Sequence, residues 1–204
     1  MQTDSIKQFE ISTVEKVYDG FFKMHQITFR HSLYQGGWTS PLIRELFGRG
    51  QAVVVLLYDP KAQQVILIEQ IRAGTLQHAA DQNDQAWLIE PVAGMIEAGE
   101  SKLSACQRET QEEAGVEVNT FEPICHFYPS PGGSDEVLYL YGAEVDVNQL
   151  PDYAGEASEM EDIRIIKMPF QDAKAKLLKA EFNVASTIIG LQWLFYQKLA
   201  VSCP

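Results

Sequence analysis

The sequence predicts a mixed α+β protein: a small N-terminal antiparallel β-sheet followed by an α/β/α sandwich. Three observations carry this. Residues 9–33 alternate apolar and polar side chains around an Asp-Gly pair, the mark of a half-buried hairpin. Two runs, AVVVLLYD (52–59) and QVILIEQIR (64–72), are almost continuously apolar, as expected of strands covered on both faces. Helical signals appear only after these and are interleaved with further strands, which places helices beside a sheet. The predicted boundary puts residues 1–48 in the N-terminal sheet and 49–204 in the sandwich.

The elements follow in order. Two strands flank Asp19-Gly20, and a third is expected near Leu42–Phe47. Pro60 and Lys61 fill the turn between the two apolar strands. Residues 73–84 are small and polar and read as a loop. WLIEPVAG (87–94) reads as one short buried strand. Ser101 can cap the N-terminus of a helix and Gly115 can close its C-terminus. Strands are expected over 117–128, 136–145 and 163–168. Pro169 suits the first turn of one C-terminal helix and Asn183 the cap of another. Residues 146–162 are long, acidic and without pattern, which suggests a functional loop.

Composition excludes several classes. A net charge of −12 opposes a nucleic-acid face, which needs clustered Lys and Arg, and also opposes an anionic membrane surface. No apolar run is long enough to span a bilayer. The first residues, MQTDSIKQFEIS, show no signal-peptide core, and Cys106, Cys125 and Cys203 form no CxxC pair. A cytoplasmic protein with reduced thiols is expected. His25, His31, His78 and His126 show no ligand spacing. Trp38, Trp87 and Trp193 read as core or dimer contacts.

The chemistry concentrates in GMIEAGESKLSACQRETQEEAGV (94–116). On a helix over 101–114, Leu103, Cys106 and Thr110 form a stripe for packing, while Glu109, Glu112 and Glu113 share the opposite face. Like charges at that spacing repel, so a hard divalent cation, Mg²⁺ or Mn²⁺, is the natural compensation. Arg108 can pair with a glutamate and fix its orientation. A run of glutamates alone more often marks a solvated helix face. The spacing makes the difference: Gly94, Glu100, Arg108, Glu109, Glu112, Glu113 and Gly115 stand at the intervals of the Nudix box. At about 7% per fixed position, chance gives such a match in roughly one chain per million, so the pattern is specific. One departure is Thr110, where the box has an aliphatic residue; its hydroxyl can bond the Cys106 carbonyl, with slightly less burial.

The chain thus resembles Nudix hydrolases, and the resemblance implies the Nudix fold with metal-dependent hydrolysis of a diphosphate linked to a nucleoside. Pro131, in SPGGSDE (130–136), lies sixteen residues past Gly115. With FFKMHQITFRHSLYQGGWTSPLIRELFGRG, VILIEQIRAG, EMEDIR and NVASTIIGLQWL, it resembles the bacterial ADP-ribose pyrophosphatase subgroup over residues 17–194. GDP-mannose and NADH remain alternative substrates, and a non-catalytic nucleotide-sugar sensor is a further alternative that an intact box disfavours.

The resemblance also implies roles. The Ala93 carbonyl and the Glu109 and Glu113 carboxylates would hold two or three Mg²⁺ ions, with Mn²⁺ as the other candidate. Glu112 would hold a metal or orient a water. Glu161 would complete the cluster, and Glu159 would be the general base. If 159–161 is extended, both glutamates face the same way. Arg72 and Glu136 would grip the substrate, Phe21 or Phe22 would stack on adenine, and Arg44 would reach in from the partner of a homodimer that exchanges its N-terminal sheets.

Overall fold

Gly20, Phe21 and Phe22 make the turn of the N-terminal hairpin, between β1 (Phe9–Asp19) and β2 (Lys23–His31). The pair is antiparallel, with Asp19 opposite Lys23 and Phe9 opposite His31, and β2 also pairs antiparallel with β3 (Leu42–Gly48). The computed structural model describes residues 7–82 and 86–200; Cys203 and the first six residues of the predicted N-terminal sheet lie outside them. Two units are resolved by contact. The first takes the N-terminal residues through Gly50 together with Tyr128–Val137, and the second takes Gln51–Phe127 and the chain from Leu138 onward.

In the first unit, β1–β2–β3 is a three-stranded sheet whose first strand is exposed along its whole length. Phe9, Ile11, Val14, Val17 and Tyr18 all lie open. The added segment 128–137 is a turn, with Ser134 N–H bonded to the Ser130 carbonyl at 3.0 Å, and it joins β3 through Phe47 N–H to the Gly133 carbonyl at 2.7 Å.

The second unit is built on β4 (Gln51–Asp59) and β5 (Gln64–Ile71), the two apolar runs. Their side chains alternate between two cores. Val53, Val55, Leu57, Ile66 and Ile68 face a cluster that includes Ala105, Cys106 and Ala114 of α2 (Lys102–Ala114). Leu56, Tyr58, Val65 and Leu67 face the other way. They meet Ala173 of α3 (Phe170–Leu178), and Leu191 and Trp193 of α4 (Ala185–Trp193). A sheet covered on both faces explains why neither strand shows polar alternation.

Several sequence expectations need correction. The loop of 73–84 contains α1 (Leu76–Gln82) after one 3₁₀ turn. Leu, Gln and Ala favour a helix, but its described side chains are largely exposed, so no apolar stripe announces it. WLIEPVAG is two strands, β6 (Trp87–Glu90) and β7 (Val92–Met95). Pro91 lacks an N–H for the ladder, and the chain changes partner there: β6 pairs with β5, β7 with β4. β8 (Glu122–Phe127) begins later than expected; Val116 and Val118 bury into the α2-side core without joining a ladder. β8 is an edge strand, which tolerates Pro123, and it pairs with β9 (Val137–Glu144). The cap of α4 is Val184 rather than Asn183, and the helix continues as a π turn over Leu194–Lys198.

The acidic segment 146–162 is not structureless. It holds 3₁₀ turns at Val147–Gln149 and Ala157–Glu159, and a short β10 (Tyr153–Ala154) that pairs with β11 (Ile163–Pro169). Because 157–159 is a turn and Met160 takes a left-handed backbone, the stretch is not extended, and the same-face argument for Glu159 and Glu161 does not apply. No described helix is long and apolar enough to cross a membrane.

Candidate active site

Helix α2 is closed at both ends by the residues the sequence offers. Ser101 Oγ accepts from Ser104 N–H at 3.1 Å, and Gly115 takes the left-handed conformation that ends a helix, with its N–H on the Gln111 carbonyl. The face it buries keeps Cys106 and Thr110 of the expected stripe, with Ala114 beside it, but is wider than expected. Leu103 is exposed, whereas Ala105, Cys106, Glu109, Thr110, Glu113 and Ala114 are buried. Two of the three helix glutamates therefore lie on the packed side, against β7, rather than on the solvent face. Thr110 is completely buried, and its hydroxyl has no hydrogen-bond partner; the expected bond to the Cys106 carbonyl does not form.

Glu113 is 2% exposed. Its Oε2 accepts from Ala93 N–H at 2.8 Å and its Oε1 from Gln70 Nε2 at 3.3 Å. Burial pushes its carboxyl up to about 8; the Ala93 N–H and Arg72 pull downward, and the charges of Glu109 and Glu161 add to the rise. Glu109 is raised in the same direction by burial, pulled back by Arg108, and raised again by Glu112 and Glu161. Gly94 is what lets Glu109 reach the β7 backbone, since a Cβ there would overlap the carboxylate. Glu161 on the acidic loop is thus electrostatically close to both buried glutamates, and Gly155 N–H ties that loop to the Glu112 carbonyl at 3.0 Å.

Arg108 organises the other side. Its Nε and Nη2 donate to the two oxygens of Glu100 at 3.1 Å each. Nη1 donates to Glu109 Oε1 at 2.7 Å and Glu112 Oε2 at 3.0 Å, and Nη2 also donates to the Met95 carbonyl at 2.9 Å. One guanidinium thereby holds three carboxylates and the strand that precedes the helix.

Among the described residues, no three acidic, histidine or cysteine side chains converge closely enough to ligate an ion as they stand. The donor chemistry still fits a hard divalent cation. The donors are carboxylate oxygens, two of them buried and raised in pKa by that burial, while Arg108 is bonded to Glu109 and Glu112.

The remaining predicted residues divide between the units. In the second, Arg72 follows β5 and its Nε donates to Glu90 Oε1 at 2.6 Å. Glu159 lies in the 3₁₀ turn, but its side chain is outside the described part of the chain. In the first, Phe21 is 87% exposed, and Phe22 packs edge-on to Phe47 with ring centres 5.0 Å apart. Pro131 is an exposed turn residue. Arg44 is exposed and donates to its neighbour's carbonyl, that of Ile43. Glu136 is held instead by Arg49, at 3.0 Å, whose guanidinium lies 4.5 Å over the Phe22 ring. Sequence reasoning missed Arg49, Gln70 and Glu90. The available signal for the last two was a polar residue inside an otherwise apolar strand.

A box helix with two buried glutamates, on a sheet covered by helices on both faces, defines a class. The NUDIX domain model matches residues 48–187, and the chain belongs to the Nudix family. Members of this family generally depend on a divalent metal. The chain is 37% identical over 194 residues to the ADP-ribose pyrophosphatase of Haemophilus influenzae, covering 95% of this chain and 89% of that protein. It is 40% identical over 185 residues to the ADP-ribose pyrophosphatase of Escherichia coli strain K12, covering 91% and 87%. A GDP-mannose pyrophosphatase of Shigella flexneri is 32% identical over 176 residues, covering 86% and 89%. A crystal structure of an ADP compounds hydrolase superposes with a TM-score of 0.68 at 21% identity, covering 96% of this chain and 98% of that one, and so shares the fold.

Proposed function

We propose that this Nudix protein hydrolyses ADP-ribose at its diphosphate, giving AMP and ribose 5-phosphate. The observation that carries the reading is the carboxylate set of α2, with Glu109 and Glu113 buried and both raised further by the charge of Glu161, in a chain whose relatives named ADP-ribose pyrophosphatase are 37–40% identical over nine tenths of its length. Glu109, Glu113, Glu161 and the Ala93 carbonyl would hold two or three Mg²⁺ ions, with Mn²⁺ as the other candidate. When bound, the cations supply neutralisation of the diphosphate charge and of the glutamates themselves.

The chain's own residues do the rest. Glu159 takes a proton from the attacking water, whose oxygen bonds to phosphorus as the bridging P–O bond breaks; one new oxygen and two phosphate monoesters balance the step. Glu112 would hold a metal or orient that water. Arg108 fixes Glu100, Glu109 and Glu112 together. Arg72, held by Glu90, and Glu136, held by Arg49, grip the substrate, while the exposed ring of Phe21, or that of Phe22, stacks on adenine. Pro131 shapes the substrate loop. Residues 1–48 and 49–204 divide the labour between dimerisation and chemistry. The open apolar row of β1 supports a homodimer, proposed to be cytoplasmic, in which Arg44 serves the partner's site.

The 32% identity to a GDP-mannose pyrophosphatase favours a second reading, in which the nucleoside differs and the chemistry does not. A product assay on ADP-ribose, GDP-mannose and NADH, with Mg²⁺ and with chelator, tests both. AMP released from ADP-ribose with the highest kcat/KM, and abolished by chelator, is the expected outcome. Preference for GDP-mannose overturns the first reading. Light scattering at assay concentration should show a dimer; an active monomer removes the shared site.

A further inference from the structure

On the α2 side of β5 the stripe Ile66, Ile68 is apolar and then turns polar at Gln70, two residues before Arg72. Side chains at alternate positions share a face, so Gln70 stands at the edge of the core where α2 packs. Glu90 lies on the neighbouring β6, paired with Ile68, while Gln70 pairs with Leu88. Gln70 and Glu90 are thus diagonal neighbours on one face. They are 5% and 7% exposed. Charged and amide groups this deep are retained only with partners, and here the partners form a chain. The Gln70 amide donates to Glu113 Oε1 at 3.3 Å, and it stands diagonal to the Glu90 carboxylate, whose charged form it favours. Glu90 accepts from Arg72 Nε at 2.6 Å. At the other end, Glu113 accepts from Ala93 N–H.

We infer that Gln70 and Glu90 are positioning residues of this site: one buried amide fixes the Glu113 carboxylate and, through Glu90, the direction in which Arg72 points. The inference rests on the proposed roles of Glu113 toward metal and of Arg72 toward substrate. Gln suits the task because its NH₂ has two hydrogens and no charge. A glutamate at 70 would add a third carboxylate to Glu90 and Glu113, and an apolar residue would leave both without the amide beside them. Glu90 suits its task because Arg72, at the mouth of the strand, needs a carboxylate to hold one edge of its fork while the other edge stays directed outward. The two residues therefore act on different functions. Gln70 sets the geometry of a metal-facing group, and Glu90 sets that of a substrate-facing one.

The test uses the full chain and separates the two. Gln70→Met keeps the length and removes the amide; Gln70→Asn keeps the amide on a shorter arm; Glu90→Gln keeps an acceptor for Arg72 and removes the charge. Folding is checked by circular dichroism. Mn²⁺ binding is then measured without substrate by electron paramagnetic resonance, and KM and kcat for ADP-ribose at saturating Mg²⁺. The expected result is a 10–100-fold weaker Mn²⁺ dissociation constant for both Gln70 variants, the size typical for partners of metal-ligand side chains. Glu90→Gln should leave Mn²⁺ binding at the parental value and raise KM about tenfold with a smaller change in kcat. Parental Mn²⁺ affinity in either folded Gln70 variant overturns the role of Gln70, and parental KM in Glu90→Gln overturns that of Glu90. A parent protein that binds no Mn²⁺ brings down the metal reading, and this inference with it; a parent that binds Mn²⁺ while a Gln70 variant matches it defeats the inference alone.

Discussion

Helix α2 and the acidic loop 146–162 both carry glutamates proposed for one site, and they hold them in opposite ways. The helix is fixed on every side. It has a hydrogen-bonded cap at each end, Ala105, Cys106 and Ala114 lie in the main core, and its glutamates are held by Ala93, Gln70 and Arg108. The loop is pinned at separate points. Asp59 takes Val147 N–H on one oxygen and the N–H groups of Lys61 and Ala62 on the other, enough to lower its pKa although burial alone would raise it. Farther on, Gly155 bonds to Glu112 and Glu161 Oε2 accepts from Glu156 N–H. Between those points it runs through short turns and the two-residue β10, which pairs with β11. The difference teaches a division of labour. Groups that must carry burial and repulsion permanently belong on a helix with a core behind it, and a group that must move with substrate belongs on a segment with few anchors.

The largest expected effect tests whether the loop holds the base. Glu159→Gln should lower kcat by about two to four orders of magnitude, the usual worth of a positioned general base. The Mg²⁺ concentration for half-activity should change little. Glu112→Gln on the helix is the control. If Glu159→Gln keeps near-parental kcat while Glu112→Gln loses it, the base sits on the helix and the division of labour is reversed.

Next comes the helix glutamate with the deepest burial. Glu113→Gln should keep the fold and lose about two orders of magnitude in rate, which corresponds to about 3 kcal/mol of barrier. It should also change stability with a definite sign. The Glu113 carboxyl is raised from 4.5 to about 8 in the fold. A raised carboxylate leaves full stability below its unfolded value and removes it progressively as pH climbs from about 4.5 to about 8, because the unfolded chain ionises first. In chelator, the parent should therefore lose more Tm than Glu113→Gln between pH 5 and pH 8. At pH 8 the variant should melt at least about 3 °C higher, given roughly 2–4 °C per kcal/mol at this size. Equal melting across that range would mean that Glu113 is not strained by its burial.

A smaller effect is expected on the loop. Glu161→Gln should raise the Mg²⁺ concentration for half-activity about tenfold and be partly rescued by added metal. A kcat loss that metal does not rescue would give Glu161 the role assigned to Glu159.

How much of this was readable beforehand follows the same contrast. The hairpin, β4, β5 and α2 with both caps were legible because local signals coincide there: Asp19-Gly20, two apolar runs, Ser101 and Gly115. The exchange of partners at Pro91 and the helix at 76–82 were not, since one depends on long-range pairing and the other buries too little to leave a stripe. The box spacing marked the glutamates but suggested the wrong face. A helical wheel assigns acidic residues to solvent, and only the approach of β7 at Gly94 turns Glu109 and Glu113 inward. Gln70 and Glu90 stood as polar residues inside predicted strands, with no role assigned. Their meaning appears when β5 and β6 are paired and both face Glu113.

The smallest expected effect concerns the one place where the helix is poorly satisfied. Thr110 stands among Ala105, Cys106, Glu109, Glu113 and Ala114 on the buried side of α2, and its hydroxyl lacks a partner. A buried hydroxyl without a hydrogen bond costs about 1–3 kcal/mol. Valine has nearly the same shape, and its helix propensity is close to that of threonine. Thr110→Val should therefore remove the desolvation penalty without opening a cavity. Its expected result is a Tm rise of roughly 2–4 °C, about 1 kcal/mol at this chain length, with kcat and KM at parental values. The substitution sharpens the contrast because it tests the helix as scaffold apart from the helix as ligand. If Tm falls by a similar amount, the hydroxyl has a favourable role in the fold. If Tm rises but activity drops, the hydroxyl contributes to placing Glu109 or Glu113, and scaffold and chemistry are not separable on this helix.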